Sequence, residues 1–238
     1  MISERTLAES FTSFWHDTLR TSEELVKFVN GQLVHVLDPL ESEVSPRRRE
    51  LVNEAAFFLF TSRVEQEILG QGEPSAEGLN RACTAATEQT ARMHRIAPEQ
   101  ISPPNTEERE EALELAGRLE EIFAILAPRG GIKPRPAFAG CGRVKSCRGD
   151  VFAGGTLHEV KAGEPKLRLV DLRQLFVYGA LNFAEPRYGI THFGYVNPRL
   201  GVWYRKEVEF LVQMAAGVSS VELFSEIVDF ISSDRVSG

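Results

Sequence analysis

Two acidic side chains and one amine lie close together between Asp150 and Lys161, a segment that reads Asp-Val-Phe-Ala-Gly-Gly-Thr-Leu-His-Glu-Val-Lys. A two-residue turn at Gly154-Gly155 would place Asp150 opposite Glu159 in an antiparallel hairpin. Directly opposed residues share one face of a sheet, with β-carbons about 5 Å apart, and strand alternation puts Lys161 on that same face. The spacing therefore predicts that two carboxylates and one ammonium converge on one point, an arrangement suited to metal-assisted hydrolysis.

A divalent cation is the simplest way to hold two carboxylates at this separation. Like charges directly opposite each other destabilise a sheet unless a positive charge lies between them. Mg²⁺ accepts a few carboxylate oxygens together with water and substrate phosphate, so Asp150, Glu159 and the backbone carbonyl of Val160 are the predicted ligands. The Lys161 ammonium would orient a metal-bound water or offset charge on the phosphate oxygens. The plainer alternative is a Glu159–Lys161 salt bridge on an exposed strand, worth under about 1 kcal/mol.

An apolar helix is predicted directly after the hairpin, from Leu167 to Phe183, and it is long enough to cover one face of a sheet. Gln174 and Tyr178 are four residues apart in it and therefore lie one above the other on the same helix face. The segments Tyr188 to Asn197 and Gly201 to Val208 are predicted to form two further strands. The charged cluster is thus followed by a helix and then by a strand.

In these features the chain resembles the PD-(D/E)XK nuclease superfamily, over roughly residues 135 to 210. The shared motif is Asp150 followed by Glu159-Val160-Lys161 at the end of a strand, and the Gln174 to Tyr178 spacing resembles the Gln-x-x-x-Tyr motif of the RecB-like branch. The resemblance implies an α/β fold with a restriction-endonuclease-like αβββαβ core, a mixed sheet of four to five strands flanked by helices. It implies that Asp150, Glu159 and Lys161 are catalytic, with Mg²⁺ or Mn²⁺ as the cofactor. Gln174 and Tyr178 would then help to position a DNA substrate beside the metal.

In many members of this superfamily a glutamate from a helix before the sheet also serves the metal site. The candidates for this role on predicted upstream helices are Glu54, Glu65, Glu120 and Glu121. Glu65 is favoured, because the apolar run from Phe57 to Val64 predicts that its helix is buried. A buried carboxylate is costly unless a cation or a hydrogen bond compensates it, so its presence there suggests a functional role.

The charge of the chain is unevenly distributed. The whole chain has a formal net charge of -7, and residues 1–130 hold 13 Lys and Arg against 23 Asp and Glu. Residues 131–206 hold 13 Lys and Arg against 5 Asp and Glu, a net of +8 around the hairpin. Basic surroundings let phosphates approach acidic metal ligands, although a chance cluster of solvated side chains would give the same count. The basic residues that bracket the hairpin in sequence are Lys133, Arg135, Arg143, Lys145, Arg148, Lys166, Arg168 and Arg173.

The first part of the chain is predicted to be largely helical, and a Pro- and Gly-rich seam at Pro128–Pro136 separates it from the sheet. This gives a helical N-terminal region over residues 1–130 and a nuclease core with C-terminal helices over residues 131–238. The acidic N-terminal region suggests contact with a partner protein or with a second copy of the chain. The remaining predicted helices are Glu4–Leu19, Ser22–Leu37, Pro46–Leu69, Ser75–Arg95, Thr106–Leu126, Glu209–Ala216 and Ser219–Ser232.

Composition and motifs argue against several other classes. No apolar run approaches the roughly 20 residues of a membrane span and no leader-like segment opens the chain, so we expect a cytoplasmic protein without membrane contact. Cys83, Cys141 and Cys147 are too few to complete a four-cysteine cluster. The sequence has neither a Walker-type phosphate loop nor a helix-turn-helix signature, which argues against ATP use and transcriptional regulation.

The expected function is therefore that of a Mg²⁺-dependent deoxyribonuclease that hydrolyses DNA phosphodiester bonds, with the preference for DNA resting on the resemblance alone. The expected setting is the nuclease subunit of a restriction, repair or antiphage defence system. The alternative is a non-catalytic nuclease-fold scaffold or a nucleic-acid-binding subunit of a larger complex. The presence of Asp150, Glu159 and Lys161 together argues against that alternative, because a destabilising carboxylate pair would not be expected in a site that has lost its catalytic function.

Overall fold

The computed structural model describes residues 1–66, 69, 74–163 and 166–233. These residues form a mixed α/β structure, which confirms the α/β class predicted from the sequence. The strands in chain order are β1 (Val34–His35), β2 (Ile132–Pro134), β3 (Ala137–Phe138), β4 (Cys147–Arg148), β5 (Val151–Ala153), β6 (Thr156–Val160), β7 (His192–Asn197) and β8 (Val202–Glu207). One mixed sheet has the strand order β1, β8, β7, β6, β5, β2, while β3 and β4 pair separately.

Nine α-helices fall within the described residues. They are α1 (Glu4–Ser10), α2 (Thr12–Thr18), α3 (Ser22–Gly31), α4 (Arg49–Glu65), α5 (Ala76–His94), α6 (Thr106–Leu126), α7 (Leu169–Ala184), α8 (Val208–Ala216) and α9 (Ser220–Ser232). The predicted bounds of α6 agree with the structure at both ends, because Asn105 forms a capping box with Glu108 at its start. Among the described residues no single helix has the length and apolar composition of a membrane span; α8 and α9 pass only as a pair, bent by 69°.

The β5–β6 hairpin has the register predicted from its glycine turn. Val151 pairs with His158 across the hairpin. Gly154 and Gly155 have φ angles of 56° and 76°, and a two-residue turn of type I′ needs positive φ at both central positions. The turn therefore brings the residues at the two open ends of the hairpin side by side.

The helix α7 connects β6 to β7, which are parallel neighbours paired from Thr156 with His192 to Val160 with Val196. Parallel neighbours cannot be joined by a tight turn, so the chain must cross over one face of the sheet before it returns. α7 is apolar on most of its surface because it packs against the sheet on one side and against α1 and α9 on others. The crossover leaves the carboxyl ends of β6 and β7 at the same edge of the sheet.

A close approach between β6 and β7 explains one glycine in the sheet. His158 is buried, and a Cβ added at Gly194 would lie 2.3 Å from its Nδ1. The ring packs edge-on against Phe123 of α6, with 5.3 Å between ring centroids. Burial, followed by the charge of Arg205, lowers the pKa of His158 to about 3. His158 is thus a neutral packing residue on the face opposite Glu159.

The two faces of the sheet are covered by different sets of helices. Leu157 and Phe193 lie in a hydrophobic cluster with α7, α8 and α9, and α1 to α3 belong to that same cluster. On the other face, Val196 packs with Phe60 of α4 and Phe123 of α6. Helices from residues 1–130 therefore contribute to both layers and share their cores with the strands.

One segment predicted as helix is a strand instead. α3 ends at Gly31, and Val34–His35 pairs with β8 at the edge of the sheet, so the predicted helix from Ser22 to Leu37 is wrong over its last turn. Beyond the strand, the amide of Val36 donates to the carbonyl of Gly201 at 2.9 Å. The open edge of β8 gives this segment hydrogen-bond partners, and β-branched residues suit a strand.

A second predicted helix is broken in two. Instead of one helix from Glu4 to Leu19, α1 and α2 meet at Phe11. The indole Nε1 of Trp15 donates to the carbonyl of Leu7 at 2.8 Å. In a continuous helix that carbonyl would accept the amide of residue 11, and insertion of a side chain into the hydrogen-bond ladder is a known cause of a kink.

Candidate active site

A cavity of about 320 Å³ lies beyond the carboxyl end of β6, where helices from both layers meet. Its walls are formed by α1, α4, α5 and α7 and by the loop after β6. The charged and polar residues that line it are Arg5, Glu9, Glu50, Asn53, Glu54, Asp150, Lys161, Arg168, Asp171 and Gln174. Four residues predicted from the sequence to form a site, Asp150, Val160, Lys161 and Gln174, therefore line the same cavity, whereas Glu159 and Tyr178 lie outside its lining.

Asp150 immediately precedes β5 and directs its carboxylate to the backbone of β6. Its Oδ2 accepts a hydrogen bond from the Val160 N–H at 2.8 Å, and its backbone carbonyl accepts one from the Arg135 N–H at 2.8 Å. Burial raises the pKa of Asp150, an effect that the Lys161 ammonium and the Val160 N–H oppose. Val160 also lines the cavity, and the use of its carbonyl as a metal ligand stays a prediction.

Glu159 and Lys161 form an ion pair at the base of the cavity. The Glu159 side chain is 1 % exposed, and its Oε1 contacts the Lys161 Nζ. Burial, opposed in part by Lys161, raises the pKa of Glu159 to about 8. Burial also disfavours the Lys161 ammonium, but the carboxylates of Glu159 and Asp150 outweigh it and raise the pKa of that lysine.

Two buried carboxyl groups thus share one ammonium. A single positive charge compensates one carboxylate, and ionising the second would place an uncompensated charge in a buried site. Burial therefore raises the pKa of both Asp150 and Glu159, and the two carboxyl groups titrate as a pair. A divalent cation would compete with protons for these carboxylates.

Glu54 on α4 supplies a third carboxyl group to the cavity. Burial, followed by the charge of Asp150, raises its pKa to about 7, while Arg135 opposes the shift. Glu54 is one of the upstream glutamates considered from the sequence, and among these candidates it lines the cavity. Glu54 precedes Phe57 and Phe58 by three and four residues, and this spacing places it on the same helix face as the apolar run. The sequence therefore contained a signal that favoured Glu54.

The other upstream glutamates lie elsewhere. Glu65, the favoured candidate from the sequence, is exposed at the last residue of α4 and does not line the cavity. Glu120 pairs with the buried Arg63 at 2.5 Å, and Glu121 is exposed on α6. The apolar run does bury α4, but the α4 residues that line the cavity lie between Glu50 and Phe57, and Glu65 is eight residues further along the helix.

Gln174 and Tyr178 hydrogen-bond to each other, but they are placed differently. Gln174 lines the cavity, and its Nε2 donates to the Tyr178 hydroxyl at 2.9 Å. Tyr178 is 2 % exposed and stacks on Phe138, with 5.2 Å between ring centroids. Its hydroxyl donates to the carbonyl of Arg148 at 3.0 Å. Tyr178 therefore acts behind the cavity wall, holding Gln174 and the end of β4 close to Asp150.

The cations that line the cavity already contact carboxylates. The pairs are Arg5 with Glu9 at 2.8 Å, Arg168 with Asp171 at 3.0 Å, and Lys161 with Glu159. Asp171 is 1 % exposed and also accepts the backbone N–H of Arg168 at 2.9 Å. Neither α1 nor this capping pair was expected at the site, because nothing in the local sequence marks their proximity to the hairpin.

The basic count around the hairpin does not produce a basic cavity. Of the eight basic residues that bracket the hairpin in sequence, all of them described, Arg168 alone lines the cavity. Lys133 and Arg148 are exposed, and the guanidinium of Arg135 lies 3.9 Å from the ring centroid of Phe58. A phosphate in the cavity therefore depends on paired cations or on a bound metal for its neutralisation.

The donor set fits a hard divalent cation in part. Within the described ranges, no three His, Cys, Asp or Glu side chains are close enough to enclose a metal by themselves. Mg²⁺ is commonly held by one or two carboxylates and keeps several waters, so a pair suffices. The buried Oε2 of Glu159 has no hydrogen-bond partner among the described residues, and a buried acceptor without a donor calls for an ion or water.

Arg199, in the turn after β7, is 2 % exposed and fixes the loop that follows β6. Its Nε donates to the Ala162 carbonyl at 2.7 Å, and its Nη2 donates to Asn53 at 3.0 Å and to Glu111 at 2.7 Å. The guanidinium thus ties the loop to α4, beside Glu54, and to α6. An arginine in a turn is usually solvated, and nothing in the sequence marks this one as buried.

No protein-family model matches the chain, and a comparison with curated proteins finds no match in sequence. The geometry of the site and the arrangement of the elements around it are therefore the basis for a functional assignment.

Proposed function

We propose that the protein is a metal-dependent nuclease that hydrolyses DNA phosphodiester bonds, with Mg²⁺ or Mn²⁺ as its cofactor. The observation that carries this proposal is that Asp150, Lys161, Gln174 and Glu54 line one cavity while the Lys161 ammonium contacts the buried Glu159 carboxylate. Paired acidic ligands beside a lysine suit hydrolysis of a phosphodiester, because they supply a metal, a water and compensation for developing charge.

The order of the elements supports the same assignment. α6, β2, β5, β6, α7 and β7 follow one another as helix, three strands, helix and strand, with the short β3–β4 pair inserted. β2, β5 and β6 are antiparallel neighbours, and β7 is parallel to β6. This order supports the αβββαβ core that the resemblance to the restriction-endonuclease-like fold implies, and β8 and β1 extend the sheet.

The residues of the cavity have separable roles in the proposed reaction. Asp150 and Glu159 would hold the metal, with the Val160 carbonyl as a further ligand, and Glu54 would bind a water of the metal. A bound metal would supply a water of lowered pKa and neutralise charge on the phosphate oxygens. The Lys161 ammonium, which contacts Glu159, would orient the attacking water or stabilise the charge that develops on the phosphorus oxygens.

Gln174 would orient the substrate backbone. One N–H of its Nε2 is used by the Tyr178 hydroxyl, and a carboxamide has a second N–H and a carbonyl available for another partner. Tyr178 would fix the orientation of that amide without contacting the substrate, since it lies behind the wall of the cavity.

The wider setting of the enzyme is part of the proposal. We place it in the cytoplasm, as the nuclease subunit of a restriction, repair or antiphage defence system. The outer face of α6 supports a contact with a partner protein or a second copy of the chain, because Glu107, Glu110, Glu114 and Glu121 are exposed on it. Such an acidic face would favour a basic partner surface.

The test is cleavage of linear DNA by the purified protein with Mg²⁺ or Mn²⁺. Asp150→Asn and Lys161→Met keep the size of each side chain, and each should slow cleavage by roughly a hundredfold or more. Calorimetry should show weaker metal binding in Asp150→Asn. Glu65→Gln, on an exposed residue outside the cavity, is the matched control and should cleave like the wild type. Cleavage that persists in both site variants would contradict the proposal.

A non-catalytic nuclease-fold subunit is the second candidate function. It is favoured by one observation, that Arg5, Lys161 and Arg168 all contact carboxylates of the same chain. Such a subunit would show neither metal binding nor cleavage under any of these conditions, whereas the proposed nuclease would show both.

A further inference from the structure

The cavity lies in a cleft between two pairs of packed helices. α1 packs against α7 on one side, and α4 packs against α5 on the other. Arg5 and Gln174 line the cavity from the first pair, and Phe57 and Met93 line it from the second. These two pairs of helices therefore form two walls of the cleft.

The reacting groups lie at the buried end of this cleft. Asp150 and Lys161 line it, and Lys161 contacts Glu159, which is 1 % exposed at the carboxyl end of β6. A phosphodiester in the middle of a duplex lies on the outside of a rod whose grooves are about 12 and 6 Å wide. For such a bond to reach Lys161, both strands would have to enter the cleft.

The volume of the cavity matches a much smaller ligand. Pockets of about 300 to 1,000 Å³ hold drug-sized molecules, and a nucleotide belongs to that size class. The cavity is about 320 Å³, at the lower end of that range. One nucleotide fits, and a base pair with its two backbones does not.

The charges of the lining favour one phosphate over many. Five carboxyl groups line the cavity against three cations, and these cations already contact carboxylates. A duplex carries one negative charge per about 1.7 Å of its axis, so its entry would accumulate repulsion. A single phosphate at the end of a strand meets the least repulsion.

One wall offers a surface for a base. Phe57 of α4 is half-buried and lines the cavity, and Met93 of α5 lies in the same lining. Aromatic side chains bind the unstacked bases of single strands whatever their sequence. The wall opposite carries Gln174, so a nucleotide with its base on Phe57 could direct its phosphate to the base of the cleft.

We propose that the cavity takes the free end of a single strand of nucleic acid, with the terminal base on Phe57, and releases mononucleotides. This rests on the proposed nuclease function and adds the substrate class to it. A water oxygen bonds to phosphorus and the P–O bond to the neighbouring nucleotide breaks. The water gives up one proton and the leaving oxygen takes up one proton, so the reaction needs no other reactant.

The test uses three substrates with the full chain and Mg²⁺: a linear single strand, the same strand closed into a circle, and a covalently closed duplex circle. The linear strand should shorten from an end to mononucleotides, and both circles should stay intact over the same period. Cutting of either circle at a rate comparable with the linear strand would overturn the proposal while leaving the nuclease function standing. Cleavage of none of the three, without metal binding, would overturn both.

A pair of variants tests the base subsite. Phe57→Ala should raise KM for the linear strand by about tenfold with little change in kcat, because it removes one stacking contact. Phe58→Ala is the matched control, since Phe58 is also half-buried on α4 but does not line the cavity. Melting curves of both variants report whether the fold is kept. Equal KM values in the two folded variants would show that the base does not bind at Phe57.

Discussion

Replacing Glu54 by glutamine separates its role as a buried acid from its role beside the proposed metal site. Burial and the nearby Asp150 raise the pKa of Glu54 to about 7, from an ordinary value of 4.5. A carboxyl group whose pKa is raised on folding stabilises the folded state fully below its unfolded pKa and loses that contribution as pH rises through the folded value. The window for Glu54 is therefore about pH 4.5 to 7.

The size of the effect follows from the shift. A raised pKa of about 7 against 4.5 corresponds to roughly 3 kcal/mol of differential stability, since each pKa unit is worth about 1.4 kcal/mol. The side chain lines a cavity, and solvent there reduces the figure to about 2 kcal/mol. Glutamine has nearly the same shape and never ionises. The free energy of unfolding of Glu54→Gln should thus exceed that of the wild type by about 0.5 kcal/mol near pH 5 and by about 2 kcal/mol near pH 8.

The assay is urea unfolding at pH 5 and pH 8, with and without Mg²⁺. At pH 8 a metal concentration about a hundred times Kd should stabilise the wild type by about 2.7 kcal/mol. Glu54→Gln should gain less, because it removes the carboxylate that would bind a water of the metal. Glu65→Gln is the control on the same helix, and an exposed substitution should change the free energy of unfolding by less than about 0.5 kcal/mol.

Two results would refute this reasoning. An equal effect of Glu54→Gln at both pH values would mean that Glu54 does not change its ionisation on folding. Equal stabilisation of the wild type and Glu54→Gln by Mg²⁺ would mean that Glu54 takes no part in metal binding.

Three further substitutions test the supports of the site. Tyr178→Phe should destabilise the protein by about 1 to 2 kcal/mol, because it removes a buried hydroxyl bonded to Gln174, and should lower kcat more than it raises KM. Arg199→Met should cost about 3 to 5 kcal/mol in urea unfolding, and metal affinity measured by calorimetry should fall while Arg199→Lys partly restores it. Gly194→Ala should destabilise by more than about 3 kcal/mol, because its Cβ would lie 2.3 Å from the His158 ring, and a wild-type melting temperature would contradict that packing.

The hairpin was predictable because its geometry is local. A Gly-Gly turn determines the register, and the register determines which charged residues share a face, so Asp150, Glu159 and Lys161 could be brought together from the sequence. The helix α7 could also be predicted from the sequence, because an apolar run of its length is too long for a typical strand and suits a helix that covers a sheet.

The remainder of the site depends on how distant elements dock. Glu54 and Glu65 lie on the same helix, and only the packing of α4 against the sheet decides which of them reaches the cavity. Arg5 is far from the hairpin in sequence, yet α1 brings it to the same cavity. Counting charges along the chain overestimated how basic the site is, since it takes no account of the carboxylates that pair with these cations.

The shared core of α1 to α3 with α7 to α9 has a consequence for how the protein is made. Leu7, Trp15 and Leu25 pack against residues of α7, α8 and α9, so they become fully buried only after the chain from Leu169 onward has been synthesised. At about 5 to 20 residues per second, the ribosome needs on the order of ten seconds to travel from Gly31 to that point. Protease should therefore cut nascent chains within α1 to α3 when synthesis is stopped before α7, and leave them intact once α9 has emerged. The helices α1 to α3 thus leave the ribosome first and expose their apolar surfaces for the longest time. During that time chaperones can bind these surfaces, and the nascent chain can aggregate through them.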